Sequence, residues 1–180
     1  MLEEEQSEGT GLTNENYSTF SPYKIENLFF LNGIVSLLGW NVVLTSLDYF
    51  NFIYEEYNVY LYFPIPCFLA YVITGATFHY VSTKFLFKQL IPWGIMGTSA
   101  SLLLMFIVSL LTKNSGSGFY ICLVLAFCVG FFSNIAQLSF MGMMNFFGDS
   151  TVSRYTIGTA AGGLSINILR VILVAIMGTN

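Results

Sequence analysis

Charge is what this 180-residue chain has least of. Lys and Arg together number six, Asp and Glu ten, and charged residues make up 9% of the whole, where soluble domains run near a quarter. With 55% of its residues hydrophobic, a water-soluble fold would expose more apolar surface than water tolerates. The net charge of −4 excludes the basic face that a nucleic-acid polymer requires. Histidine is reduced to His79 and cysteine to Cys67, Cys122 and Cys128, with no spacing that suits a metal. The thiols fall inside apolar stretches, where they act as small hydrophobes. No Ser, Cys or carboxylate motif accompanies His79, so no catalytic constellation can be assembled. The expectation is therefore a protein that is not an enzyme and carries no cofactor. A glycine loop followed by Lys, as needed to cradle a phosphate, is also missing, which argues against direct use of ATP.

What the chain does have is length without charge. Apolar stretches cover residues 28–47, 58–80, 87–111, 119–147 and 155–178. Each is near the roughly 20 residues that a helix needs to cross about 30 Å of hydrocarbon. They are apolar all round rather than alternating, which indicates helices and not barrel strands. The expected fold class is all-α: a polytopic membrane bundle of five transmembrane helices over residues 28–180. Residues 1–27, acidic and rich in Ser, Thr, Gly and Asn, read as a disordered cytosolic tail. They lack the basic-then-apolar layout of a cleavable signal, so the first stretch is expected to stay as a span. With alternating spans, Lys24, Lys84, Lys88 and Arg154 share one side and Lys113 lies on the other. Because Lys and Arg are retained inside, the amino terminus is expected to be cytoplasmic. The expected location is the plasma membrane.

Polar groups within the spans mark the surfaces that face protein or a cavity, since such groups are costly in lipid. In the fourth stretch Gly130, Asn134, Gln137, Met141 and Met144 recur at helical spacing on one face. The amides either tie helices together or line a cavity. In the first stretch Trp40 sits far from either end, away from the usual interfacial belt, and either fills space between helices or stacks on a flat ligand. Trp93, after Pro92, fits an interfacial anchor. Pro64 and Pro66 are expected to bend the second span. In the fifth, Gly158 and Gly162 form a small-xxx-small pair for close helix contact, beside a line of Thr159, Gly163, Asn167 and Arg170. Asp48, near the outer end of the first span, is expected to be solvated. No carboxylate in the spans offers Arg170 an evident partner, so it is expected to reach carbonyls or an acid outside this chain.

Several of these patterns occur together in a set order. Leu37-Leu38-Gly39-Trp40-Asn41 leads to Tyr49-Phe50; Gln137 is followed five residues later by Gly142; Tyr155-Thr156 opens a glycine-rich stretch with Arg170 later in it. From Tyr23 onward the chain resembles the amino-terminal half of the equilibrative nucleoside transporter family, whose first helix carries Leu-Leu-Pro-Trp-Asn where Gly39 here replaces the proline. The resemblance implies the first half of a major-facilitator-like transporter for nucleosides or nucleobases. It implies that Leu37, Trp40 and Leu44 contact substrate from one helix and Gln137 from another; Asn134, on the same face as Gln137, is expected to bind substrate too. A base can stack on an indole, and a carboxamide can both donate to and accept from a base edge. None of the spans has a central carboxylate for a proton relay, so facilitated diffusion is expected. Family members have eleven spans in bundles of six and five. The expectation is thus a truncated form of a longer carrier, or a chain whose missing carboxyl-terminal bundle comes from another subunit. The alternative is a non-transporting membrane scaffold or assembly partner whose polar faces dock other helices.

Overall fold

Long apolar stretches separated by short polar breaks give helices and turns only. The computed structural model describes residues 22–113, 115–144 and 146–177, and no strand occurs among them. The helices are α1 (Pro22–Ser36), α2 (Leu38–Thr45), α3 (Leu47–Ile53), α4 (Val59–Tyr62), α5 (Pro64–Lys84), α6 (Phe87–Leu111), α7 (Gly116–Met144) and α8 (Asp149–Met177). Among the described residues, four helical segments are long and apolar enough to cross a membrane: Tyr23–Ile53, Val59–Lys84, Phe87–Leu111 and Gly116–Met144. The fifth expected span corresponds to α8, which has 29 residues. Leu103, Leu110, Val72 and Phe68 lie exposed on α5 and α6, an outward surface that suits lipid.

The boundaries differ from expectation for local reasons. Residues 22–27, assigned above to the tail, are helical, and Glu26 there pairs with Arg154 of α8 at 3.5 Å. The rest of that tail lies outside the described residues. α5 runs on to Lys84 because Thr77, Ser82 and Thr83 turn their hydroxyls onto carbonyls three or four residues back, which lets polar residues stay helical. α7 and α8 are separated by a turn in which Gly148 adopts φ 89°, a conformation open to glycine at little steric cost.

The first span is one rod bent twice, at Leu37 and at Ser46, where ψ is 0°. Beside each break a hydroxyl bonds back to the helix: Ser36 Oγ to the Gly33 carbonyl at 2.8 Å, and Thr45 Oγ1 to the Asn41 carbonyl at 2.9 Å. Such back-bonding bends helices without proline. Gly39 serves proximity instead, since a Cβ there would lie 2.6 Å from Thr98 Cγ2 of α6. In the second span the break falls between α4 and α5, and Pro64 occupies the first turn of α5, where a missing N–H does no harm.

α7 is the hub. Half of its most apolar stretch is buried, against 22% for α6; it packs on α5 and α6, while α8 lies along α1. At the end carrying residues 54–58 the core is aromatic: Tyr57 stacks on Phe119 with centroids 4.2 Å apart, and Phe50 meets Phe63 at 4.9 Å. Tyr54 is buried there with its hydroxyl 3.3 Å from Thr112 Oγ1. Burial pushes its phenol up to about 12, despite the opposing Thr112 contact.

Candidate functional site

Trp40 follows Gly39 on α2 and is half-buried. Its ring meets Phe68 of α5 at 4.9 Å and the edge of Tyr71 at 6.4 Å. Leu37 sits at the α1–α2 break, and Leu44 lies one turn beyond Trp40; both are half-buried. Asn41 points toward α8, where its Nδ2 is 3.9 Å from the place a Cβ would take on Gly163.

The polar stripe of α7 divides into parts with different roles. Gly130 lets α5 come close, a Cβ there being 2.8 Å from the Cys67 carbonyl. Asn134 is buried and its Nδ2 donates to the Tyr71 carbonyl at 3.0 Å, which makes it a tie between α7 and α5. Met144 is buried and Met141 is exposed. Gln137, between them, has its Oε1 shielded without a hydrogen-bond partner among the described residues. The structure thus brings Trp40 and Asn134 to the same α5 residue, Tyr71, and sets Gln137 one turn from Asn134. Tyr71 also reaches Ser133, with oxygens 3.4 Å apart, and Ser133 Oγ donates to the Ser36 carbonyl at 3.2 Å. Tyr71 drew no notice in the sequence because one tyrosine among eleven in an apolar run has no distinguishing spacing.

On α8 the small-residue pair does what its spacing implies. A Cβ on Gly158 would collide with the Phe30 carbonyl, and one on Gly162 would lie 2.7 Å from the Ile34 carbonyl. Asn167 is exposed and its Nδ2 donates to Gly163 of its own helix at 2.8 Å, so it joins no other helix through that bond. The expectation for Arg170 is corrected. Its Nη2 donates to Asp48 Oδ2 at 2.6 Å, and Tyr60 donates to Asp48 Oδ1 at 2.7 Å. The acid lies within this chain, and Asp48 is not simply solvated. The sequence hid the pairing because 122 residues separate the two; α8 runs parallel to the first span, Phe30 meeting Gly158 and Ile34 meeting Gly162 at one offset, and farther along the Arg170 side chain reaches Asp48.

A cavity of about 60 Å³ lies between the first span, α6 and α7, bordered by Ser36, Gly39, Thr98, Ser133 and Phe140. A wider groove of about 400 Å³ runs over α5, α6 and α7 beside Gln89, Trp93 and Phe132. Trp93 is 72% exposed, as an interfacial anchor should be. Trp40 and Gln137 border neither space. Among the described residues, no group of three or more His, Cys, Asp or Glu is placed to hold a metal.

The class of protein this defines is an all-helical one with four membrane-length apolar helices, compatible with residence in a membrane. The chain matches no family model, no curated protein and no solved structure.

Proposed function

We propose that this chain is a membrane-embedded bundle of a facilitative carrier for nucleosides or nucleobases, with α8 as a fifth span and the amino terminus cytoplasmic. The observation that carries the reading is Gln137: an amide oxygen held inside a helix bundle without a partner costs about 1–3 kcal/mol, and a ligand that donates to it removes the cost. Trp40, half-buried beside Phe68 and Tyr71, supplies an aromatic wall of the kind a planar heterocycle stacks on. Arg154 pairing with Glu26 brings basic residues of α1 and α8 to one end, which agrees with a cytoplasmic amino terminus. Passage through such a bundle calls for a second bundle to rock against it, supplied by further chain or another subunit.

Uptake of labelled uridine and adenosine into vesicles containing the chain, alone and with a candidate second bundle, tests the reading. Saturable uptake that Trp40→Ala or Gln137→Ala abolishes supports it; uptake indifferent to both substitutions removes it. The scaffold reading has its own observation, the exposed Thr156 and Asn167 on one side of α8, polar groups suited to docking another helix. It predicts that Asn167→Leu disrupts assembly while no solute is moved under any condition.

A further inference from the structure

Tyr155 presents a problem that its surroundings do not solve. Only 2% of the residue is exposed, and its hydroxyl has no hydrogen-bond partner among the described residues. The Ser36 and Thr159 side chains lie close to it; their hydrogens are committed to the Gly33 and Tyr155 carbonyls, so toward the phenol they can only accept, and neither stands in hydrogen-bond geometry to it. Buried tyrosine hydroxyls ordinarily find partners.

The other unpartnered buried atom is Gln137 Oε1, and helical spacing places its residue on the α7 face turned to the same seam. On α7, Gln137 lies four residues after Ser133, which bonds the Ser36 carbonyl, and three before Phe140, which shares a core cluster with Phe29 and Tyr155. That spacing puts Ser133, Gln137 and Phe140 on one helical face, turned toward α1 and the start of α8. A phenol that can donate and an amide oxygen that can only accept thus border one region, and both lack partners.

We propose that Tyr155 and Gln137 form one polar subsite that takes a small group with an adjacent donor and acceptor. The N–H of that group donates to Gln137 Oε1, and its carbonyl accepts from the Tyr155 hydroxyl. The edge of a nucleobase such as uracil has this pattern, so the subsite rests on the carrier reading and adds to it the atoms that read the polar edge of the solute. Tyr155 is then a ligand-contacting residue, whereas the resemblance to nucleoside carriers had marked Leu37, Trp40, Leu44 and Gln137 but not Tyr155.

The test uses the full chain in lipid nanodiscs, with binding of uridine and of N3-methyluridine measured for the wild type, Tyr155→Phe and Gln137→Leu. Tyr155→Phe should bind uridine about tenfold more weakly, the equivalent of a hydrogen bond of about 1.4 kcal/mol. Methylating N3 should cost the wild type a similar factor and cost Gln137→Leu almost nothing. Uridine binding unchanged by Tyr155→Phe overturns the subsite while leaving the carrier reading intact. A wild type that binds no nucleoside sinks the carrier reading, and the melting temperature without solute then decides the subsite. A higher value in Tyr155→Phe means the hydroxyl is left unpaired in the empty protein, as the subsite requires; a lower one means it is already bonded within the chain, and the subsite falls.

Discussion

The two ends of the bundle solve the packing problem in opposite ways. At the end carrying residues 54–58, bulk does the work. Phe50, Tyr54, Phe63 and Phe119 are almost wholly buried, and the hydroxyls of Tyr54 and of the neighbouring Tyr49 are matched, with Thr112 and Ser109. Along α1 and α8 the device is absence of bulk: glycines at 33, 158 and 162 bring backbones into contact. Close backbone approach leaves little room for side chains to reach each other. Beside that contact Tyr155, on α8, and Gln137, on α7, keep unpaired polar atoms. A region with every polar group satisfied is a fixed plug, whereas one with spare hydrogen-bonding capacity is where a solute has something to gain by binding.

The sharpest way to break this contrast is to remove the plug. Phe119 contacts Tyr54, Tyr57, Tyr62 and Phe63, so Phe119→Ala should cost about 3–5 kcal/mol through the cavity it leaves. Unfolding in detergent, followed by circular dichroism, reads the loss. A cost below about 1 kcal/mol would mean that the aromatic end collapses freely and is no plug.

Next comes the seam. Gly158→Val puts atoms into the Phe30 carbonyl and should cost about 3 kcal/mol, the upper part of the range for overpacking. Gly75 is the control: nothing lies within 4 Å of a Cβ there, so Gly75→Ala should stabilise α5 by about 0.5–1 kcal/mol. Melting temperatures that rank the two substitutions the other way would show that α1 and α8 are not in close contact.

Smaller again is the tie between α7 and α5. Asn134→Leu removes the bond to the Tyr71 carbonyl and should lower stability by about 1 kcal/mol, the usual net worth of such a bond. Solute binding should be retained, since the amide is engaged with α5 and not with the seam. If Asn134→Leu abolishes nucleoside uptake at unchanged stability, Asn134 belongs with Gln137 as a ligand contact.

How far the sequence foretold this follows the range of each signal. The third span was legible to the residue, 87–111, because Lys84 and Lys88 mark its start and Thr112-Lys113-Asn114 its end. The Gly158–Gly162 pair was legible too, since small-xxx-small spacing is a local signal. Tyr71 and the Asp48–Arg170 pair were not, because both depend on which helices end up side by side and in what register. Gly39 shows a third case: the break at Leu37 survives without the proline, because the hydroxyl of Ser36 bends the chain by another route.

The smallest expected effect concerns the ion pair between α3 and α8. Arg170 and Asp48 have side chains 41% and 53% exposed, and exposed pairs are worth about 0–1 kcal/mol in water. Asp48→Asn and Arg170→Gln should therefore each cost under about 1 kcal/mol, and the cost should shrink as salt rises. The double replacement Asp48→Arg with Arg170→Asp should recover most of the loss, although Tyr60 would then face a cation in place of its acceptor. The same measurement locates the pair relative to the bilayer. A single charge left in hydrocarbon costs about 2.5–3.5 kcal/mol on insertion scales. A loss of that size in Asp48→Asn, with no dependence on salt, would put the pair within the lipid and make it a necessary clasp between the two helices; a small, salt-sensitive loss puts it in the interfacial layer, with the strength of the α1–α8 contact residing in its glycines.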